Sequence, residues 1–130
     1  MKKAEKLLYV IIFYSIGLFL SSFYRPYIYS NEINDFGIAD IGNNVVFIPG
    51  VYFLYNLVSK KPILGIYKDI ALYTFFLLTV EVLSFYINGI GTFDPKDILG
   101  IFIGAAITYL IVRFRTEYST HLNKNLARKK

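Results

Sequence analysis

Apolar residues are concentrated in four long segments of the chain, separated by shorter polar stretches. These segments run at about residues 7–24, 42–58, 69–88 and 97–113. A helix needs roughly 20 predominantly apolar residues to cross the hydrocarbon core of a bilayer. The pattern therefore predicts one all-α domain over residues 1–130, a bundle of four transmembrane helices. Pro49 and Gly50 interrupt the second segment, and we expect a kink there because proline cannot donate the helical hydrogen bond.

The composition agrees with a membrane protein. Hydrophobic residues make up 55% of the chain, and the mean hydropathy is +0.48. Charged residues make up 18%, below the roughly 25% that is usual for soluble domains. The absence of cysteine excludes a disulfide framework and a thiolate metal site. We expect membrane lipid around the bundle, and the sequence indicates neither a metal nor another cofactor.

Basic residues are distributed unevenly between the loops. Twelve of the fourteen Lys and Arg residues precede the first segment, follow the fourth, or lie between the second and third. Only Arg25 and Lys96 lie in the other two loops. The positive-inside rule then places both termini in the cytoplasm, with a basic cytoplasmic tail at residues 116–130 and an outer loop at 25–41. The net charge of +5 therefore reflects the orientation of the chain in the membrane, and we expect no nucleic-acid partner.

One acidic residue lies inside the third apolar segment. Glu81 is about six residues, roughly 9 Å of helix, from the outer end of that segment. An ionised acid at that depth costs a few kcal/mol unless it is paired or hydrated, so it is a functional-site candidate by default. Helical spacing aligns it with Thr74, Ser84 and Asn88 in a polar stripe. Glu81 either fixes helix packing as a hydrogen-bond partner or lines an outward-facing polar site.

The stretch before the fourth segment, FDPKD, is typical of a helix start. Asp94 is predicted at the N-cap, Pro95 at the first helical position and Asp97 two positions later. Capping alone explains both acids, although the same residues can also serve a binding site. Asp40 and Asn43 either cap the second helix or join the same outer polar cluster. The candidate ligand-binding cluster therefore comprises Glu81, Asp97, Asp94, Asp40 and Asn43.

Small residues mark the expected contacts between the helices. Gly100 and Gly104 are four residues apart in the fourth segment, which places them on one helix face. Small residues at this spacing allow two membrane helices to approach closely. We predict that helix packing depends on these two residues, together with Pro49 and Gly50.

Two short blocks of the sequence resemble the VanZ-like family of bacterial membrane proteins. The first block is NNVVFIPG, which is similar to the family's N-x-x-x-F-x-P-x-G segment. Asn43, Phe47 and Pro49 match this segment, whereas Gly50 falls one residue early. The resemblance extends over roughly residues 40–109 of the chain.

The second block contains an acid near the end of one span and an F-D-x-x-D turn before the next. Its matching residues are Glu81, Phe93, Asp94, Asp97, Gly104 and Ala105. The chain departs from the family pattern at Ser84, where members often have glutamine, and at Ile101, where they have asparagine. It also has four predicted spans, and family members often have five.

The resemblance implies a protein of the bacterial cytoplasmic membrane that contributes to resistance against glycopeptide antibiotics of the teicoplanin type. It implies no reaction. The acidic cluster would form an outward-facing cleft for a wall precursor, a lipid headgroup or the antibiotic, because acids suit cationic amines. Two alternatives stay open, a small membrane hydrolase or transferase and a structural assembly subunit. The catalytic residues are unknown, and an enzyme is less favoured because serine-nucleophile, zinc and phosphate-loop motifs are absent.

Overall fold

The computed structural model describes residues 1–59, 65–87 and 94–127, with side chains through residue 118. All regular secondary structure in these ranges is helical. The elements are α1 (Lys3–Phe19), a π-helical turn (Leu20–Tyr24), α2 (Arg25–Ser30), α3 (Ile38–Val58), α4 (Ile66–Tyr86) and α5 (Pro95–Ala127). Four helical stretches in the described ranges are long and apolar enough to span a membrane, which confirms the predicted all-α class.

The first helical stretch is longer than predicted, because it does not end at residue 24. α1, the π-helical turn and α2 follow one another without a break from Lys3 to Ser30, a length of 28 residues. Pro26 lies in the first turn of α2. A proline removes one helical N–H, and a π turn shifts the hydrogen-bond register beside such a gap. The predicted outer loop 25–41 therefore begins as helix.

α3 begins four residues before its predicted start at residue 42. Asp35 explains the earlier start, because its carboxylate accepts hydrogen bonds from the backbone N–H groups of Gly37 (3.0 Å) and Ala39 (2.6 Å). These bonds satisfy donors that have no partner within the helix. Gly37 has a φ of 86°, which glycine adopts without strain. The predicted capping by Asp40 or Asn43 is wrong, since both residues lie inside the helix.

Pro49 and Gly50 do not break α3, which continues through both residues to Val58. Proline has no N–H to donate, so the carbonyl of Val45, one turn earlier, lacks its usual helical partner. Pro49 is buried within the bundle. The helix tolerates the lost bond because neighbouring helices surround this part of it.

α3 and α5 approach each other closely along two glycines of α5. A Cβ atom added at Gly104 would lie 2.6 Å from the carbonyl oxygen of Val45. A Cβ added at Gly100 would lie 2.8 Å from the carbonyl oxygen of Ile41. Any larger residue at either position would therefore meet backbone atoms of α3. The two glycines thus occupy the line along which α5 packs on α3.

α3 is the central helix, in contact with α1, α4 and α5, and α4 also packs on α5. At one end of the bundle, the Lys6 ammonium donates to the Asn56 carbonyl (2.8 Å), and Arg115 lies 3.7 Å from Glu5. We call this the terminal end, because it holds the start of α1 and the later part of α5. α2 and the starts of α3 and α5 meet at the opposite end, which we call the pocket end.

The buried core lies towards the terminal end. Phe53 is 1% exposed and stacks on Tyr9 with the ring centroids 4.6 Å apart. Tyr52, Ile70 and Val112 complete the cluster of buried side chains. Many other large apolar side chains face outwards on all the long helices. This distribution suits helices surrounded by lipid, because lipid tails are as apolar as a leucine side chain.

α5 extends well beyond the predicted fourth span, which was expected to end at residue 113. The helix is 33 residues long and continues to Ala127. An ion pair between Arg113 and Glu117 (3.0 Å), one turn apart, supports this extension. The basic tail predicted at residues 116–130 is therefore helical as far as Ala127.

Candidate functional site

A polar cavity of about 200 Å³ lies at the pocket end, where α2 and the starts of α3 and α5 meet. We call it the polar pocket. Its lining residues are Arg25, Asp40, Asn43, Asn44, Asp94 and Asp97. Four of the five residues of the predicted cluster line this single cavity, although they come from separate helices. The fifth, Glu81, does not line the cavity and instead accepts a hydrogen bond from the backbone N–H of Asp94.

Asp94 and Glu81 together fix the start of α5. The Oδ1 of Asp94 accepts the backbone N–H of Lys96 at 2.9 Å, which confirms the predicted N-cap. The Oε1 of Glu81 accepts the backbone N–H of Asp94 at 3.1 Å. Glu81 therefore ties the end of α4 to the start of α5. This contact favours the packing interpretation of Glu81 over direct contact with a ligand.

The other members of the predicted polar stripe on α4 bond within their own helix. The Thr74 hydroxyl donates to the carbonyl of Ile70 (2.8 Å), and the Ser84 hydroxyl to that of Glu81 (2.6 Å). Hydroxyls that bond back to the preceding turn need no partner on another helix. Asn88, and Phe93 of the family motif, lie outside the described residues.

Asp40 is held from two sides. The Lys96 ammonium lies 3.0 Å from its Oδ2, and the Tyr29 hydroxyl donates to its Oδ1. The Nε of Arg25 donates to the Tyr29 oxygen at 3.2 Å, and its guanidinium carbon lies 5.3 Å from the centre of the Tyr29 ring. This network joins α2, α3 and α5. It leaves the charge of Asp40 compensated by Lys96.

Asp97 is a carboxylate of the pocket that, like Asp94, has no bonded cation among the described residues. No Lys or Arg in the described ranges forms an ion pair with it. Its half-buried side chain faces that of Asn44, and the carboxylates of Glu81 and Asp94 lie close enough to repel it. Arg25, on another wall of the pocket, attracts the Asp97 carboxylate. A cation bound at Asp97 would offset the repulsion from these neighbouring carboxylates.

The charges that remain in the pocket are unequal. With Asp40 compensated, the carboxylates of Asp94 and Asp97 stand against the single guanidinium of Arg25. The terminal nitrogens of that guanidinium make no hydrogen bond to any residue that the structure describes. Such a cavity suits a ligand with a cationic amine and an anionic or oxygen-rich group beside it. Among the described residues, no group of acidic or histidine side chains could hold a metal ion.

Arg25 and Tyr29 were not among the predicted site residues. The sequence predicts Arg25 in the outer loop, because the first apolar segment is predicted to end at residue 24. On a continuous helix, its spacing of four from Tyr29 places the two side chains on one face. That spacing is the signal that could have identified them.

A fully buried acid was also missed. Asp69 is fully buried in the first turn of α4, close to the phenol groups of Tyr52 and Tyr73. The sequence shows it beside Lys68 at the start of an apolar segment, where an acid is usually solvated. Its spacing of four from Tyr73 is the signal of a shared face. It lies towards the terminal end and takes no part in the polar pocket.

The fold and the pocket define a helical protein with four stretches able to span a membrane and a polar cavity at one end. No protein-family model matches the chain, and neither a curated protein nor a solved structure matches it.

Proposed function

We propose that the chain is a VanZ-like protein of the bacterial cytoplasmic membrane, with its termini in the cytoplasm and the polar pocket at the outer surface. The pocket binds the amine-bearing part of an envelope ligand, which is a wall precursor, a lipid headgroup or a glycopeptide. Through this binding, the protein contributes to resistance against teicoplanin-type antibiotics. The single observation that carries the proposal is the cavity in which Asp97 faces Arg25 without a bonded cation of its own.

The distribution of basic residues supports this orientation. Of the fourteen Lys and Arg residues, only Arg25 and Lys96 belong to the sequence segments at the pocket end. Both take part in the pocket, Arg25 as a wall and Lys96 as the partner of Asp40. The other twelve belong to the sequence segments that the positive-inside rule assigns to the cytoplasm.

The expected affinity follows from the charged groups that are free to bind. A hydrogen bond to a charged group contributes about 1.5–3 kcal/mol when both partners are desolvated. A ligand amine at Asp97 makes one such bond, and an anionic group at Arg25 makes another. Removing the charge of Asp97 should thus weaken binding by roughly tenfold or more.

A structural role for the pocket end is the second candidate. The hydrogen bond from the Asp94 backbone to Glu81 and the close approach of α5 to α3 at Gly100 favour it. Under this alternative the carboxylates would hold helices in register and bind nothing. The two candidates differ in what removal of the Asp97 charge does to the amount of folded protein.

Asp97→Asn tests the proposal, because asparagine keeps the shape of aspartate and removes its charge. Glu117→Gln is the matched control, since Glu117 is an exposed acid on the same helix, paired with Arg113. We expect Asp97→Asn to abolish teicoplanin resistance in an expressing bacterium at unchanged abundance in the membrane, and Glu117→Gln to keep it. Resistance that survives Asp97→Asn would refute the proposal. Disappearance of the Asp97→Asn protein from the membrane would establish the structural role instead.

A further inference from the structure

The polar pocket adjoins an apolar groove between α1 and α3. The groove has a volume of about 220 Å³, and its walls include Tyr14, Leu18 and Phe47. Gly17 and Gly50 also line it, and neither has a side chain to fill it. Leu18 and Phe47 are exposed on the outer face of the bundle, so the groove opens towards the surrounding lipid. We call this cavity the α1–α3 groove.

Asn43 belongs to the walls of both cavities. The Ser21 hydroxyl donates to its Oδ1 at 3.1 Å, so a neutral polar pair lies where the groove meets the pocket. Gly17, Ser21 and Arg25 follow one another at intervals of four residues, which brings them close to one helix face. Along that face the surface changes from apolar to neutral polar to charged.

This order of surfaces is the order of chemical groups in a phospholipid. We propose that the pocket and the groove together hold a membrane phospholipid with an aminoalkyl phosphate headgroup, of the phosphatidylethanolamine type. The ammonium lies at Asp97 and Asp94, the phosphate at Arg25, the ester groups at Ser21 and Asn43, and one acyl chain in the groove. This inference rests on the proposed function and narrows its ligand to a lipid.

Charge and length both fit this occupant. The pocket offers two carboxylates and one guanidinium after Asp40 is compensated, which complements an ammonium beside a phosphate. From Asn43 to Gly50 the groove extends over seven residues of α3, about 10 Å of helix. That length holds the first part of an acyl chain, and the rest continues into the bilayer. The pocket lies at the starts of α3 and α5, and the ends of membrane-spanning helices are where lipid headgroups would surround them.

A single tryptophan can report which lipid occupies the groove, because the chain contains none. Tyr14→Trp places the reporter in the groove. Tyr109→Trp is the matched control, because it is the same change at a residue of similar exposure, 40% against 43% for Tyr14. The control also lies at the same depth. Gly104 of α5 lies beside Val45 of α3, and the two helices run in the same direction. Five residues further along, α3 reaches Gly50, which lies beside Tyr14, and α5 reaches Tyr109.

The experiment uses the full chain in phosphatidylcholine vesicles that contain a small fraction of phosphatidylethanolamine with brominated acyl chains. Bromine quenches a tryptophan that it touches. From the quenching we expect the local concentration of the brominated lipid to be roughly tenfold higher at the Tyr14→Trp reporter than at the Tyr109→Trp reporter. Brominated phosphatidylglycerol, which has no amine, should show no such enrichment. Adding Asp97→Asn or Arg25→Gln to Tyr14→Trp should remove the enrichment without lowering the helix content of the vesicle-bound protein.

Equal quenching at the two reporters would overturn the inference. So would an enrichment that is the same for both lipids or that persists with either pocket substitution, because the headgroup contacts would then play no part. If the reporters are equal but Asp97→Asn still abolishes resistance, the lipid inference fails and the proposed pocket function stands. If the reporters are equal and resistance is also unchanged, both fail.

Discussion

Gly104→Ala tests the close approach of α3 and α5 that brings the walls of the polar pocket together. The new Cβ would lie 2.6 Å from the carbonyl oxygen of Val45 and 3.0 Å from that of Asn44. Carbon–oxygen contacts in proteins lie at about 3.3–3.6 Å, so the two helices must separate locally by about 0.7–1.0 Å. Both oxygens belong to the backbone of α3 and cannot rotate away. The strain can therefore be relieved only by a shift of the helix backbone.

The expected cost follows from two opposing terms. Overpacking of a well-packed contact costs typically about 1–3 kcal/mol, whereas exchanging glycine for alanine inside a helix gains up to about 1 kcal/mol. We expect Gly104→Ala to lower the free energy of unfolding by about 1–2 kcal/mol. Asn44 is one of the residues displaced, so the polar pocket should also bind less well.

The assay is unfolding by denaturant of the purified full chain in detergent micelles. Gly50→Ala is the matched control, because its Cβ would lie 3.4 Å from a ring carbon of Tyr14, an ordinary contact with a side chain. The control should leave stability unchanged or raise it by up to about 1 kcal/mol. The reasoning is refuted if Gly104→Ala is as stable as the parent, or if Gly50→Ala is the more damaging change.

Three further predictions concern the cap, the core and the orientation. Asp94→Ala should lower the free energy of unfolding by about 1 kcal/mol and Asp94→Asn by much less, because asparagine also caps helices; equal losses would contradict the capping role. Phe53→Ala should cost about 3–5 kcal/mol in the same assay, whereas Phe76→Ala, at a side chain 63% exposed, should cost under about 0.5 kcal/mol. In this cysteine-free chain, a membrane-impermeant thiol reagent outside the cell should label Ser30→Cys and spare Lys68→Cys, and labelling of both would overturn the orientation.

The four helical stretches could be predicted from sequence because a run of about 20 apolar residues indicates a membrane-spanning helix. The meeting of Asp40, Asn43, Asp94 and Asp97 was also predictable. Helices that alternate in direction bring the start of the second span and the start of the fourth to the same end. The N-cap role of Asp94 needed only local spacing, and it was correct.

The features that the sequence did not predict depend on tertiary contacts or on the positions of helix ends. An apolar run does not reveal that the helix continues through the π turn, so Arg25 was assigned to a loop. The orientation of Glu81 depends on a backbone donor thirteen residues away, at the N-cap of the next helix. The cap from Asp35 lay outside the expected span, and composition alone could not place it. The sequence did not identify Asp69, because burial at a helix end is decided by the packing of its neighbours.

The most direct test of the central claim measures binding and stability together on Asp97→Asn. The claim is that Asp97 holds a ligand and does not hold the helices together. Asp97→Asn removes a negative charge that Glu81 and Asp94 repel, and the asparagine can still bond to Asn44. The substitution should therefore not destabilise the folded protein. We predict that the full chain purified in mild detergent retains an ethanolamine phospholipid in native mass spectrometry. Asp97→Asn should lose that lipid with its unfolding free energy within about 0.5 kcal/mol of the parent. Retention of the lipid by Asp97→Asn, or its loss together with stability, would contradict the account.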